Sequence, residues 1–502
     1  MSQISITNLT FAYDGSYDNI FEDVSFQIDT EWKLGFTGRN GRGKTTFLNL
    51  LMGKYEYTGR IAANVGFQYF PFDIANKNLA TESIIGQICP VYQEWELLRE
   101  LSLLDVSDNV LTRPFATLSN GEQTKVMLAA LFLSENSFLL IDEPTNHLDT
   151  NGRKIVSRYL KSKSGFILVS HDRTFLDGCI DHILSINRSN IEVQRGNFST
   201  WLANKQRQDN FELAQNEKLK RDIKRLKQAA KQSRDWADKV ESTKIGKGSA
   251  GIEKSVDKRA YLGEKSRRMQ QRRKNLERRQ EVAVEDKSNL LHNIETSDAL
   301  KIVQLPYHKS QYLSLLDVGI FYGDKKACGG VSFDVCKGDR IALRGRNGSG
   351  KSSILRLICT QVFPMAVEFS YTGEATVGSG LQISYVSQDT SFLRGSLTDY
   401  ANISNIDESL FKAILRKLDF SRTQFDKDMQ DFSAGQKKKV LIARSLCEKS
   451  HLLVWDEPLN FVDVLSRMQI EELILEYNPT ILFVEHDELF CEKIATKEAV
   501  LV

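Results

Sequence analysis

Phosphate chemistry is offered at two places where a lysine follows spaced glycines and precedes a hydroxyl. The first reads Gly38-Arg39-Asn40-Gly41-Arg42-Gly43-Lys44-Thr45-Thr46, the second Gly345-Arg346-Asn347-Gly348-Ser349-Gly350-Lys351-Ser352-Ser353. Both fit G-x-x-x-x-G-K-[ST], the phosphate-binding loop. Glycines there let backbone N–H groups converge on phosphate oxygens where a Cβ would clash. Lys44 or Lys351 would reach the β- and γ-phosphates, and Thr45 or Ser352 would hold Mg²⁺. One such match is also what a chance glycine-rich turn produces. Two, each set between an apolar run and a helix-like stretch, point to nucleotide binding.

Acids and imidazoles recur behind the loops. Phe138-Leu139-Leu140-Ile141 ends in Asp142-Glu143-Pro144, and Asp456-Glu457-Pro458 repeats the ending. An apolar strand ending in two acids presents both at the carboxyl edge of a sheet. Asp142 and Asp456 then suit a metal site, and Glu143 and Glu457 the polarisation of an attacking water. A second buried run, Phe166-Ile167-Leu168-Val169, delivers His171 to the same edge, and His486 follows in the later copy. Ser119-Asn120-Gly121-Glu122-Gln123 and Ser433-Ala434-Gly435-Gln436 open helices with hydroxyl and N–H donors; read alone, each is a capped helix. Tyr13 offers a ring to an adenine or simply half-fills a strand position. Order settles more than any single motif. Lys351 follows Lys44 by 307 positions, Ser433 follows Ser119 by 314, Glu457 follows Glu143 by 314 and His486 follows His171 by 315. A near-constant offset over four motifs is an internal duplication.

These residues need sheets to position them. Apolar alternation predicts strands within residues 4–30 and again over 61–72, and helical spacing predicts a helix over 92–104. The expected fold class is α/β: two P-loop ATPase domains in tandem, joined by a long α-helical hairpin. The 502 residues suit two or three domains, and 41% hydrophobic with 26% charged residues is ordinary globular composition. Seven scattered cysteines without a C-x-x-C read as reduced thiols. Met1-Ser2-Gln3-Ile4-Ser5-Ile6 does not read as a signal peptide, and no apolar run is long enough to span a bilayer. A cytoplasmic location without a membrane domain is expected.

The net charge is only +2, but it is unevenly placed. Residues 218–279 carry 22 Lys/Arg against 8 Asp/Glu, a local +14, so the remainder is −12. Leu219, Ile223, Leu226, Ala230 and Val240, then Leu262, Met269, Leu276, Ala283 and Leu290, mark two helical seams. Ile245-Gly246-Lys247-Gly248-Ser249-Ala250-Gly251 breaks them into a hairpin. Much of this charge suits a solvated helix face. Its lopsided sign, with Arg259 and Lys265 near the turn and Arg267, Arg268, Arg272, Arg273 and Lys274 closely packed, favours phosphate contact with rRNA or tRNA. The expected boundaries are 1–199 for the first ATPase domain, 200–298 for the basic hairpin and 299–502 for the second ATPase domain.

Taken together, these motifs resemble those of the ABC-F family, cytosolic twin-cassette ATPases that use ATP and Mg²⁺. The resemblance makes Gly38–Thr45 and Gly345–Ser352 the Walker A loops, with Gly38, Asn40, Gly41, Gly43, Lys44, Thr45 and Thr46, and Gly345, Asn347, Gly348, Gly350, Lys351, Ser352 and Ser353, around ATP. It implies signature motifs at Ser119, Gly121 and Glu122 and at Ser433, Gly435 and Gln436. It further implies catalytic Glu143 and Glu457, Walker B acids Asp142 and Asp456, switch histidines His171 and His486, and adenine-stacking Tyr13 and Tyr322. Gln388 matches the family's metal-contacting glutamine; Phe72 stands in its place in the first copy, which predicts unequal sites, although both keep their catalytic acid. In that family each ATP lies between one Walker A loop and the other cassette's signature, pairing Lys44 with Ser433 and Lys351 with Ser119 in a single chain. The resemblance is greatest to the Vga/Lsa type of antibiotic-resistance proteins. It implies a 70S ribosome partner contacted at 23S rRNA and P-site tRNA through the E site, and protection from lincosamides, streptogramin A and pleuromutilins. A housekeeping translation factor, the ATPase of an exporter, and a nucleic-acid-binding ATPase remain as other readings.

Overall fold

The computed structural model describes residues 3–13, 19–134, 136–146, 148–187, 190–242, 305–364, 366–421 and 424–501. The chain divides into two units: Met1–Trp201 together with Ala299–Val502, and Leu202–Asp298. The first unit contains both copies of the repeated motifs.

Each copy builds a similar pair of sheets, the larger one six-stranded in the first copy and five-stranded in the second. In the first, Phe21–Asp29, Gln3–Phe11 and Thr58–Ala62 form an antiparallel sheet, and a six-stranded sheet runs Gly66–Phe70, Ser137–Asp142, Phe166–Val169, Lys33–Thr37, His182–Asn187, Asn190–Arg195. In the second, Lys325–Cys336, Gln311–Tyr322 and Ser370–Val377 form the antiparallel sheet. Its partner runs Ile383–Val386, Leu452–Asp456, Ile481–Val484, Arg340–Arg344, Lys497–Val500. The central strands pair in parallel. Helices cover both faces of such strands, which explains why Phe166–Val169 and Ile481–Val484 are apolar and buried at every position.

The strand order does the positioning. Phe36 and Asp142 both stand opposite Val169, so the phosphate loop, the acid pair and the residues before His171 leave the sheet at one edge. Ligands of open α/β sheets bind at that carboxyl edge. The loops lead into Lys44–Leu51 and Lys351–Thr360. Helices Asn120–Phe132 and Ala434–Cys447 follow from smaller helical lobes.

The expected strand over 61–72 is divided. Thr58–Ala62 pairs antiparallel with the first strand, whereas Gly66–Phe70 runs parallel beside Ser137–Asp142. One apolar stretch thus serves two sheets, and Phe72 lies beyond both. The predicted helix over 92–104 forms as Glu94–Leu103. The first arm of the basic segment is one helix, Phe198–Ser242. It starts before the composition changes, because the Phe198 and Trp201 rings are buried against each other with centroids 5.3 Å apart. The turn, the second arm and Arg259, Lys265, Arg267, Arg268, Arg272, Arg273 and Lys274 lie outside the described residues. All seven cysteines are free. Among the described residues, no helix is long and apolar enough to cross a membrane.

Candidate active site

Both phosphate loops turn into their helices through a glycine in the left-handed region, Gly43 at φ 93° and Gly350 at φ 81°. A side chain would be strained there, and a Cβ on Gly43 would stand 2.6 Å from Ile20 Cγ2. Neither helix has a side-chain cap or an acidic residue in its first turn. Uncapped N–H groups and an unopposed helix dipole suit a phosphate. Lys44 Nζ donates to Gly38 O at 2.7 Å and to Asn40 Oδ1 at 3.2 Å; Lys351 Nζ donates to Gly345 O at 2.9 Å and Arg346 O at 2.8 Å. Burial lowers the pKa of both lysines, against nearby acids that raise it.

The hydroxyl after each lysine meets the acid predicted for it. Thr45 Oγ1 donates to Asp142 Oδ2 at 3.0 Å, and Ser352 Oγ to Asp456 Oδ1 at 2.9 Å. Asp456 Oδ2 is buried without a hydrogen bond. Burial pushes Asp456 up to about 6 and also raises Asp142. An orphaned carboxylate oxygen beside a hydroxyl and a phosphate cradle fits a hard divalent cation. Among the described residues there is no group of three or more His, Cys, Asp or Glu side chains that could hold a metal ion.

Glu143 and Glu457 have backbone φ of 50° and 46°, a costly conformation for a non-glycine residue that occurs at the same place in both copies. It is absent from any sequence pattern. Their N–H groups donate to Val169 O at 2.9 Å and Val484 O at 3.0 Å, so the turn begins only after the last ladder bond. His171 Nε2 lies 3.3 Å from Glu143 Oε1, and His486 Nε2 lies 3.6 Å from Glu457 Oε1. Gln388 Nε2 and Asn460 Nδ2 donate to Glu457 Oε2 at 2.9 and 2.5 Å. Sequence reasoning missed Asn460, although it follows Asn146 by the same 314 positions.

The copies differ at the first acid pair. The register sets Tyr69 opposite Leu140 and Tyr385 opposite Val454, so Phe72 and Gln388 occupy equivalent places. Tyr69 OH instead donates to Asp142 Oδ2 at 3.0 Å. Burial, with the Asp142 charge adding to it, pushes Glu143 up to about 8. Burial also raises Glu457, but His486, Lys438 and Lys351 outweigh it and hold that carboxyl below its ordinary value. His171 is driven well below the usual imidazole range by burial and then by Lys44 and Arg467.

Tyr13 and Tyr322 stand beside the loops with their rings partly exposed. Their hydroxyls bond Thr46 Oγ1 and Ser353 Oγ, each at 2.7 Å. Ser119 and Ser433 cap their helices in reciprocal capping boxes with Glu122 and Gln436. Tertiary folding then brings the copies together. A cavity of about 1010 Å³ is lined by Ser119, Gly121 and Glu122 of the first copy and by Tyr322, Asn347, Gly348, Gly350, Lys351, Ser352, Ser353, Gln388, Glu457 and His486 of the second. Its size suits a nucleotide. At the other pairing, Asn40 Nδ2 donates to Phe461 O at 2.6 Å, Arg39 pairs with Asp419, and a Cβ on Gly435 would stand 2.8 Å from Asn40 Nδ2. The helix that begins at Ser433 therefore meets the Lys44 loop closely.

The family model for the ABC transporter matches residues 21–146 and 328–460, more than half of the chain. The chain is 26% identical over 510 residues to Ribosome protection protein VmlR of Bacillus subtilis (strain 168), covering 99% of this chain and 86% of that protein. It is 24% identical over 558 residues to ABC transporter F family member 2 of Arabidopsis thaliana, covering 99% and 76%. The fold is similar to that in the crystal structure of the archaeal ribosome recycling factor aABCE1 with ribosomal stalk protein aP1. There the TM-score is 0.62 at 18% identity, covering 98% of this chain and 87% of that one. With two matched domains, each supplying a phosphate loop, an acid pair and a capped signature helix, the chain belongs to the ABC transporter family as a twin-domain ATP-binding ATPase of the ABC-F type.

Proposed function

We propose that this ATPase acts on the ribosome and protects it from antibiotics bound at the peptidyl-transferase centre. Residues 1–199 and 299–502 form the two halves of an ATP-driven clamp, and residues 200–298 are the basic hairpin inserted through the E site towards tRNA and 23S rRNA. The observation that carries the clamp is the cavity shared by Ser119 and Gly121 of one copy and Lys351 and Glu457 of the other. The ribosomal target draws its support from the +14 charge of residues 218–279 and from the likeness to a protein named for ribosome protection.

In this reading ATP lies against Tyr322, the Gly345–Ser353 loop and Ser119, and against Tyr13, the Gly38–Thr46 loop and Ser433. Lys44 and Lys351 hold the terminal phosphates. Thr45 with Asp142, and Ser352 with Asp456 and Gln388, would hold Mg²⁺, which neutralises phosphate charge when bound. Glu457, aimed by Gln388, Asn460 and His486, takes the proton of the attacking water. Glu143 has the same role beside His171, from a less readily ionised position. Binding of ATP across both faces favours the closed clamp, and hydrolysis removes that preference and releases the ribosome.

The test is Glu143→Gln with Glu457→Gln in one chain, which retains shape while removing both bases. With ATP, the variant should co-sediment with 70S ribosomes. Recovery with membranes or free DNA and without ribosomes would overturn the reading. A susceptibility panel separates protection from general translation: expression should raise resistance to lincosamide, streptogramin A or pleuromutilin drugs. If ribosome binding persists and no drug changes potency, the chain is a housekeeping factor.

A further inference from the structure

Among the positions that differ between the two copies of the signature helix, one buries a lysine in the second copy where the first has a threonine. Five residues after Ser433 stands Lys438; five after Ser119 stands Thr124. Lys438 is only 2% exposed. Its Nζ donates to Ser387 O at 2.9 Å and approaches Asp456 O at 3.5 Å. Ser387 precedes Gln388, whose amide bonds Glu457. Thr124 turns back on its own helix, donating to Asn120 O at 3.0 Å. In place of a lysine there is a cavity of about 520 Å³, lined by Thr124, Met127, Phe72, Tyr69, Asp142 and Glu143.

The helix Ala434–Cys447 therefore touches two different sites. Near its N-terminus, Gly435 stands beside Asn40 in the Lys44 loop. About 4.5 Å further along, at 1.5 Å per residue, Lys438 grips the Gln388 loop and the end of the Asp456 strand, which belong to the Lys351 site. A rigid helix turn pinned at both points cannot move at one without displacing the other. The helix Asn120–Phe132 faces the Lys351 site through Ser119 but has no equivalent grip on the Phe72 loop.

We propose that Lys438 is a positioning residue that couples the two nucleotide sites, by tying the helix that faces the Lys44 loop to the Gln388 loop of the Lys351 site. The proposal rests on the two-site reading above. Burial alone does not account for it, since an apolar side chain would fill the same space without bonding a loop carbonyl. Coupling of binding is reciprocal, so each nucleotide strengthens the other through this one lysine.

The test uses azido-ATP photolabelling of the full chain in the Glu143→Gln, Glu457→Gln background, with labelled peptides assigned to each half. Disabling the first loop with Lys44→Ala should weaken labelling affinity at the Lys351 site by about 5-fold or more when Lys438 is present. With Lys438→Thr, the same lesion should change it by less than about 2-fold, and Lys438→Arg should retain the larger ratio. An equal ratio with and without Lys438 overturns the proposal. Should Lys438→Thr fail to fold, Thr124→Lys has the 520 Å³ cavity to enter and should raise the ratio; no rise overturns the proposal equally. Labelling confined to one half overturns the two-site reading itself.

Discussion

Arg173 to Met, paired with Glu471 to Gln, tests whether the two copies are joined by a buried charge pair. Arg173 follows the His171-Asp172 turn of the first copy, and Glu471 lies on the helix Val464–Tyr477 of the second. Both side chains are 4% exposed and that of Asp487 is 1% exposed. The guanidinium donates to both Glu471 oxygens, and its NH2 lies 3.8 Å from Asp487 Oδ1. Breaking a buried pair typically costs about 3–5 kcal/mol, because a charge stays behind unpaired. Here Lys493 remains 3.2 Å from Glu471, and Arg467 remains 3.1 Å from Asp487. Arg173 Nε has no hydrogen bond, so the native pair is itself incompletely compensated. These features reduce the expected loss for Arg173→Met to roughly 2–3 kcal/mol. Removing both charges should cost less than the sum of the single losses, with a coupling energy of about 2 kcal/mol. Urea denaturation of the full chain, read at its first transition for the wild type, both single variants and the double variant, closes the cycle. Additivity within about 0.5 kcal/mol would refute the pair as a joint between copies.

Gly435→Ala should lower thermal stability, because its Cβ would collide with the Phe461 carbonyl of the same copy, where backbone must shift, and stand 2.8 Å from Asn40 Nδ2 of the other copy. Overpacking of about 1–3 kcal/mol should appear in thermal melts, and displacement of the Phe461 carbonyl that Asn40 bonds predicts an ATPase rate reduced about tenfold, checked by steady-state phosphate release. Burial raises the Asp463 pKa, but Lys439, 2.8 Å away, outweighs burial and holds it below the usual carboxylate range. A depressed native pKa contributes stability above the unfolded value of about 3.9 and loses it as pH falls through the native value. Asp463→Asn, which keeps a helix cap, should flatten the stability profile below about pH 4; an unchanged slope in acid melts would contradict the pairing. Replacing Arg267, Arg268, Arg272, Arg273 and Lys274 with glutamine should lower the magnitude of the log K against log salt slope for ribosome binding by about 4, at 0.7–0.9 per charge. A parallel line would place those five charges off the RNA.

The chain's order of motifs determined much by itself. Phosphate loops, acid pairs and capped helices are local chemistry, written within a few residues, and a duplication at an offset near 314 makes them recognisable twice. The α/β class followed from the same reasoning, because parallel strands buried on both faces are continuous apolar runs. The substitution at Phe72 was also visible, and the strand registers give it the place that Gln388 has in the second copy. The split of residues 61–72 between two sheets was not, since strand character does not say which partner a strand takes.

What only the tertiary structure decided is how the halves meet. Asn40 bonds Phe461 across 421 positions, and Arg173 bonds Glu471 across 298. No spacing encodes such contacts; they arise where the two copies meet, and the pairing depends on shape and on charges that must be neutralised once buried. The left-handed backbone at Glu143 and Glu457 is of the same kind, imposed by the sheet edge rather than by a preference of glutamate. Lys438 reads in the sequence as one more cation in Lys437-Lys438-Lys439. Only folding buries its stem and aims its ammonium at the carbonyl of Ser387, which turns a charge into a link between sites.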